Sequence, residues 1–387
     1  MIRRVLMTTD TVGGVWTYAL ELAAALGTQG VAVTLAALGE PRAAQRGAAR
    51  RLPDVDLRAA PFRLEWMDHP WDDVRAAGAW LLALEEETAP DVVHLNQYSF
   101  GLLPFRAPRL VVGHSCVVSW WRAVRGALPP PAWDRYRLEV ARGLAAADAV
   151  VAPTRAMLGE LRELYGLRAT AARVVPNGRR PEAFRPARRK EPLVLSAGRL
   201  WDPAKNLRAL DAAPSELPWE VAVAGPTEAP DGQGPAVRPA RVRVLGTLEP
   251  GGLAEWYGRA SIYALPARYE PFGLSVLEAA LSGCALVLGD VPSLRETWDT
   301  AARFVDPGDP AELAACLREL AADDTRRLEL AATALGRALE LTPEVQARRY
   351  LEVYAGITGT EAAVGAAGAI PFHGPHRPAP VDRFPAC

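Results

Sequence analysis

Short β-branched runs alternate with longer stretches of helical spacing through residues 1–152. Five runs are typical of buried strands: 4–7, 31–38, 91–95, 110–113 and 149–152. Residues 15–26 and 133–147 repeat their apolar positions every three or four residues, which predicts helices between those strands. This alternation predicts βαβ units around a parallel sheet.

A second series of apolar runs follows an Arg- and Pro-rich segment at 179–190. Its predicted strands are 193–197, 219–224, 242–245, 262–265 and 285–288. Two such series predict an α/β protein with two Rossmann-like domains, residues 1–180 and 191–341, and a ligand cleft at the carboxyl ends of both sets of strands.

The end of the chain has two different patterns. Residues 343–357 have amphipathic spacing and predict a terminal helix. Residues 359–387 are rich in Ala, Gly and Pro, so we expect no packed element there. The tail contains His373 and His376, which we interpret as solvated side chains.

Two carboxylates eight positions apart form the most informative motif. Glu270 begins a Pro-Phe-Gly turn, and Glu278 lies one turn into a helix predicted to start near Leu274. The free N–H groups at the start of that helix attract anions, while carboxylates accept hydrogen bonds from hydroxyls. A diphosphate joined to a sugar fits this pattern. Taken singly, either Glu is equally well explained by turn closure or by the helix dipole.

Two further loops follow predicted strands. In 198–206, Arg199 and Lys205 can neutralise a departing phosphate. Gly13 and Gly14 lie between the first strand and helix, where they let a ligand approach the backbone closely. The loop lacks the third Gly of a dinucleotide fingerprint, and no acidic residue clearly ends the next strand, so a dinucleotide oxidoreductase is disfavoured.

Composition excludes several classes of protein. The 44 basic and 45 acidic residues give a net charge of −1, which offers no general field for nucleic acid or an anionic membrane. No apolar stretch reaches the ~18 residues of a membrane span, and the first apolar run is too short for a signal peptide. We therefore expect a cytoplasmic protein. Peripheral membrane contact and oligomeric state stay open.

Metal-binding patterns are weak. The four cysteines, at 116, 284, 316 and 387, form no C-x-x-C pair, so we expect free thiols and no structural zinc. The Asp54-Val55-Asp56 triplet lies in a poorly patterned region, and we interpret it as solvated loop charges.

Three segments together resemble the GT-B retaining glycosyltransferases of family 4 (glycosyl transferases group 1). They are the E-x7-E motif at 270–278, the G-R-L…K-N stretch at 198–206 and the Pro-Asn-Gly turn at 176–178. The resemblance implies the GT-B fold, with the turn at 176–178 acting as a hinge before the interdomain crossing. It also implies a terminal helix that crosses back to the first domain.

The same resemblance implies roles for individual residues. Glu278 would bind the ribose, Glu270 with the backbone of Phe272, Gly273 and Leu274 would hold the sugar, and Arg199 with Lys205 would stabilise the leaving diphosphate. His114, which follows a strand, would orient a donor-sugar hydroxyl, although a structural role is the simpler explanation of such a His. The donor site would be completed by backbone at Gly13, Gly14, Gly246 and Thr247.

The acceptor side has fewer signals. Family members often carry charged residues after the two glycines, whereas this chain has Val15 and Trp16, and Trp16 either stacks on a sugar or packs in the core. His94 and Asn96 end a predicted strand near the cleft and are candidates for acceptor contact. Tryptophans are dense in the first domain, and Trp120 is a further candidate for an aromatic platform that also includes some of Trp66, Trp71, Trp80, Trp121 and Trp133.

The function implied is transfer of a hexose, with retained configuration, from a UDP- or GDP-linked sugar to a hydroxylated acceptor. The nucleotide sugar is a co-substrate, and we expect neither a cofactor nor a metal. No dedicated base is evident, which fits a front-face reaction in which the departing phosphate takes the acceptor proton. Two alternatives stay open: a GT-B phosphorylase or nucleotide-sugar epimerase, and a sugar-nucleotide-binding scaffold without turnover.

Overall fold

The computed structural model describes residues 1–168, 171–213, 217–229 and 237–360. Two parallel sheets, each covered by helices, account for these residues and confirm the predicted α/β architecture. The tail at 361–387, including His373 and His376, lies outside the described residues.

In the first sheet, the described strands run in the order β3-β2-β1-β4-β5-β6-β7. Their bounds are β1 Arg4–Asp10, β2 Ala32–Leu38, β3 Val55–Ala60, β4 Val92–Leu95, β5 Arg109–Val112, β6 Ala149–Ala152 and β7 Ala172–Val174. The accompanying helices are α1 Gly14–Gly27, α2 Ala43–Arg50, α3 Trp71–Thr88, α4 Val117–Arg125, α5 Asp134–Ala146 and α6 Arg155–Tyr165.

The second sheet has the order β10-β9-β8-β11-β12-β13 over its described strands. The strands are β8 Glu191–Ala197, β9 Glu220–Ala224, β10 Arg243–Gly246, β11 Ala260–Leu265, β12 Ala285–Gly289 and β13 Arg303–Val305. The helices are α7 Leu207–Ala212, α8 Pro250–Arg259, α9 Leu274–Leu281, α10 Pro292–Trp298, α11 Pro310–Ala322, α12 Asp324–Ala338 and α13 Pro343–Thr358.

The prediction for residues 54–56 is wrong in part: both aspartates are exposed and Asp54 lies in a turn, but Asp56 belongs to a strand. Val55 and Asp56 begin the edge strand β3, which pairs in parallel with β2, and Asp56 forms an ion pair with Arg58 at 2.8 Å. A half-buried edge strand needs few β-branched residues, so its pattern is easily taken for a loop. The three-residue strands β7 and β13 also went unpredicted.

Helix α13 packs against the first sheet rather than the second. Its Tyr350 and Tyr354 lie in one hydrophobic cluster with Tyr18 and Leu22 of α1. A short hydrogen-bonded chain joins them to the fully buried His94 of β4. His94 Nδ1 is 2.7 Å from the Tyr354 hydroxyl, and His94 Nε2 is 3.1 Å from the Tyr18 hydroxyl.

The direction of this chain follows from its last link. The Tyr18 hydroxyl donates to the Tyr350 hydroxyl at 2.6 Å, so it can only accept from His94. His94 is therefore protonated on Nε2 and accepts at Nδ1 from Tyr354. Burial lowers the pKa of His94 to about 3, which keeps the ring neutral.

We predict that Tyr354→Phe lowers the free energy of unfolding by about 1–3 kcal/mol, because it leaves His94 Nδ1 buried without a donor. Urea denaturation measures the loss. Tyr165→Phe is the control: the polar neighbour of the buried Tyr165 hydroxyl is the Cys116 thiol, a weak hydrogen-bonding group, so removal of this hydroxyl should change stability by less than about 0.5 kcal/mol. Equal losses in the two variants would contradict the chain of hydrogen bonds.

Candidate active site

Two helices begin at glycines that face each other across the cleft. Gly13 precedes α1 and Gly273 precedes α9, both with φ of 89° and neither helix with a side-chain cap. A Cβ at Gly14 would lie 3.3 Å from Leu274 Cδ1, so the two amino-terminal ends are in contact distance. Their first N–H groups lack side-chain partners, and this arrangement suits an anion. The structure thus brings Gly13, Gly14, Gly273 and Leu274 together.

The predicted cations lie on the loop after β8. Lys205 Nζ is 2.5 Å from Glu270 Oε2, and both side chains are mostly buried. Arg199 is more open, with 41% of its side chain exposed, and its Nη2 contacts Asp202 Oδ2 at 3.1 Å. A Cβ at Gly225 would lie 1.8 Å from the Gly198 carbonyl oxygen, so only glycine allows β9 to end against this loop. This contact therefore fixes the start of the loop that carries Arg199.

Asp202 lies on the same loop after β8 and connects it to the first domain. Its Oδ1 accepts a hydrogen bond from Trp120 Nε1 of α4 at 3.0 Å. The indole N–H of Trp120, a candidate for acceptor stacking, thus makes a bond between the two domains. Nearby, the Tyr269 hydroxyl lies 2.7 Å from Ser119 Oγ, a second bond between the two halves.

His114 and Asn96 form one unit at the ends of neighbouring strands. Asn96 Nδ2 donates to the Thr8 carbonyl at 2.6 Å, which turns Asn96 Oδ1 toward His114 Nε2, 2.7 Å away. His114 must then carry its proton on Nε2, leaving Nδ1 as an acceptor. Burial lowers the pKa of His114 to about 3. A neutral ring with an open acceptor can receive a hydrogen bond from a hydroxyl.

Glu278 lies at the junction of the two domains. Its Oε1 is 2.9 Å from Nε of Arg179, which belongs to the segment that crosses between the sheets. Burial raises the pKa of Glu278, while Arg179 and the neighbouring Tyr257 hydroxyl oppose that rise. Arg179 thus occupies one carboxylate oxygen, and the Tyr257 hydroxyl is a second polar neighbour of the group.

Other predicted residues lie apart from these groups. Trp16 is only 6% exposed, and His94 is fully buried with both ring nitrogens bonded, so neither is placed to touch a ligand in this structure. Phe272 is part of the second-domain core. The half-buried tryptophans 66, 71, 80 and 133 pack against the first-domain core.

The predicted nucleotide-base residues lie at the end of β10. Gly246 has a φ of 70° with open space where a Cβ would stand, and its carbonyl accepts from the Gly225 N–H at 2.8 Å. Thr247 follows it and is exposed.

Asp10 is a candidate that the sequence pattern did not reveal. It ends β1 directly before the glycine loop, is 6% exposed, and accepts a hydrogen bond from the Val12 N–H at 2.9 Å. Burial raises the pKa of this carboxyl to about 7, an effect that the Val12 N–H and the charge of Arg199 oppose. The sequence signal that could have identified Asp10 is its position, three residues before a Gly pair at the end of a strand.

Among the described residues, no group of three or more His, Cys, Asp or Glu side chains could hold a metal ion. None of the helices in the described ranges is both long and apolar enough to cross a membrane.

We predict that Asp10→Asn gains stability relative to wild type as pH rises. Between about pH 4 and 7 the folded wild type keeps a proton on Asp10 that the unfolded chain has lost, so its unfolding free energy falls with rising pH. Asn cannot ionise and keeps the acceptor for Val12. The difference between the variants should grow by on the order of 2–4 kcal/mol from about pH 4 to pH 8.

Urea unfolding of both proteins across this range measures that growth. The depressed pKa values of His94 and His114 act in the opposite sense, since their stabilisation is complete above the ordinary histidine pKa and is lost as pH falls toward 3. They act equally in both variants and cancel in the difference. A constant difference at all pH values would show that Asp10 titrates normally.

Residues 12–183 match the family described as Glycosyltransferase Family 4, and residues 191–323 match Glycosyl transferases group 1. Over 253 residues the chain is 33% identical to a D-inositol 3-phosphate glycosyltransferase of Xylanimonas cellulosilytica, covering 56% of this chain and 58% of that protein. The chain thus spans less than two thirds of the length of this curated relative.

Solved structures share the fold. Sucrose-phosphate synthase from Thermosynechococcus elongatus superposes with a TM-score of 0.76 at 18% identity, covering 92% of this chain and 99% of that one. Anabaena HepE in complex with UDP-glucose gives 0.73 at 16% identity, covering 91% and 99%. Two family profiles that each match one sheet-building half, together with this shared architecture, show that the chain belongs to the GT-B glycosyltransferases of the family 4 type.

Proposed function

We propose that this protein is a retaining, metal-independent hexosyltransferase that uses a UDP- or GDP-linked sugar and a hydroxylated acceptor. The observation that carries the proposal is the meeting of two uncapped helix N-termini, those of α1 and α9, in a cleft where the charge of the half-exposed Arg199 acts on Asp10, three residues before Gly13. Backbone donors and a fixed cation at one point suit a diphosphate whose negative charge grows as it departs.

The surrounding residues fit the other parts of a nucleotide sugar. The N-termini of α1 and α9 form the proposed anion site. Lys205 and Glu270 form a mostly buried ion pair, in which Lys205 would face the phosphate while Glu270 accepts hydrogen bonds from sugar hydroxyls. His114 offers Nδ1 to another sugar hydroxyl. Glu278 lies one turn into α9 with its side chain mostly buried, and there it would accept from the ribose.

The acceptor enters from the first-domain side in this proposal. Its hydroxyl oxygen bonds to the sugar C1 on the face that the diphosphate leaves, the C1–O bond breaks with its electron pair on the phosphate, and the hydroxyl proton passes to that phosphate oxygen. Asp10 lies near this face and can accept a hydrogen bond from the acceptor. The relatives named D-inositol 3-phosphate glycosyltransferase make inositol phosphate the first acceptor to assay, and the HepE complex makes UDP-glucose the first donor.

We predict that one nucleotide class among UDP, GDP and ADP binds and that Arg199→Ala or Glu278→Gln weakens its binding at least about tenfold, because each removes a charged partner of the ligand. Isothermal titration calorimetry measures the affinities. Arg243→Ala is the control: Arg243 is an exposed arginine at the amino end of β10, away from the cleft, and should bind like wild type. Equal weakening in all three variants would point to nonspecific charge attraction.

We further predict that transfer retains the anomeric configuration of the donor and survives EDTA. The cations at the site are side chains, so chelation should change the rate by less than about twofold. Product analysis by NMR gives the configuration. An inverted product, a trapped glycosyl-enzyme or loss of activity restored by a divalent ion would each refute part of the mechanism, and phosphate-dependent cleavage of a glycoside without nucleotide would favour a phosphorylase.

A further inference from the structure

Four charged side chains form a continuous chain between the two domains. Arg180 Nε is 3.0 Å from Glu21 Oε2, Glu21 Oε1 is 2.6 Å from Arg179 Nη1, and Arg179 Nε is 2.9 Å from Glu278 Oε1. Glu21 belongs to α1, the helix whose N-terminus contributes to the anion site. Glu278 belongs to α9, the helix that contributes the other N-terminus. Arg179 is the only one of the four that contacts a carboxylate from each helix.

Contacts other than ion pairs also hold Arg179 in position. Its backbone N–H donates to the Leu341 carbonyl at 3.0 Å, where the chain returns toward α13, and its guanidinium carbon lies 5.0 Å from the centre of the Phe184 ring. The neighbouring Gly178 packs so closely on Thr342 that a Cβ would overlap its backbone. The side chain is 11% exposed. The guanidinium is thus presented at one position, with little freedom to follow either carboxylate.

A carboxylate that binds vicinal hydroxyls must be ionised and correctly turned, because only the ionised form offers acceptors alone. Burial works against this at Glu278, whose pKa it raises. The groups around Glu278 are Arg179, Glu21 and the hydroxyls of Tyr257 and Tyr263. Both tyrosines have raised pKa values through burial and stay neutral, and Glu21 is repulsive, so Arg179 supplies the cation.

We propose that Arg179 is a positioning residue for nucleotide binding: it holds Glu278 ionised and oriented toward the ribose, and it ties that carboxylate to α1 through Glu21. This inference rests on the proposed role of Glu278. It assigns to the interdomain crossing a direct part in donor affinity, in addition to joining the domains. No contact between Arg179 and the nucleotide is required.

The test compares Arg179→Met with Arg180→Met by titrating each with UDP, GDP and ADP from about pH 6 to pH 8.5. Without Arg179, Glu278 should ionise only at higher pH, so affinity should fall at least about tenfold near pH 6 and rise again severalfold toward pH 8.5, stopping short of wild type because the orientation of Glu278 is not restored. Arg180→Met removes the outer arginine of the same chain and leaves the Arg179–Glu278 pair intact. It should follow the wild-type pH profile.

A role limited to stability would lower the melting temperature of Arg179→Met while leaving its nucleotide affinity flat with pH, and that result would overturn the inference. If Arg179→Met does not fold, Arg179→Lys takes its place: the charge remains but the two-armed geometry is lost, so affinity should fall by about threefold or more without acquiring pH dependence. Unchanged affinity in Arg179→Lys would refute the positioning role. Glu278→Gln separates the two proposals, because normal binding in that variant would remove the ribose role itself.

Discussion

Buried charge needs a partner, and this constraint organises the space between the two sheets. Glu278, Glu21, Glu270 and Asp202 all lie at or near the domain junction with little exposure, and each is matched by a cation or a donor from another segment. An unpartnered carboxylate there would cost several kcal/mol. Because the partners come from both halves of the chain, pairing the charges also sets how the two domains meet.

The interdomain contacts extend this principle to backbone groups. The Glu296 carboxylate of α10 accepts from the N–H groups of Arg155 and Ala156, at 2.7 and 2.9 Å, and so caps the first turn of α6 in the other domain. Thr154 Oγ1 donates to the Pro271 carbonyl at 3.1 Å, next to the E-x7-E turn. The turn that holds Glu270 is thereby braced by the first domain. In contrast, the N-termini of α1 and α9 have no side-chain caps, which distinguishes the proposed ligand site from the structural contacts around it.

Sequence patterns predicted the parts of this protein that depend on local spacing. Helix α9 begins at Leu274 as its apolar period indicates, and the buried strands of both sheets lie where β-branched runs predict them. Strand β3 was not predicted, because this edge strand contains Asp56 and Arg58 and therefore has no continuous apolar run. His94 and His114 each lie at or just after the end of a buried strand and could not be distinguished. Helix α13, far along the chain, covers His94 and bonds to it through Tyr354. His114 is bonded to Asn96 and lies at the cleft.

Asp10 and Arg179 were not predicted, because local spacing in the sequence does not reveal contacts between residues that are far apart along the chain. Neither belongs to a recognisable motif, and each acquires its role from a residue far along the chain: Asp10 faces Arg199, and Arg179 meets Glu21 and Glu278. With Asp10 partly protonated near pH 7 and His114 neutral, the first-domain side carries little negative charge against an incoming diphosphate. In the proposed reaction, a fully ionised carboxylate at this position would repel the donor. Burial would let Asp10 tolerate the diphosphate and still accept a hydrogen bond from the attacking hydroxyl.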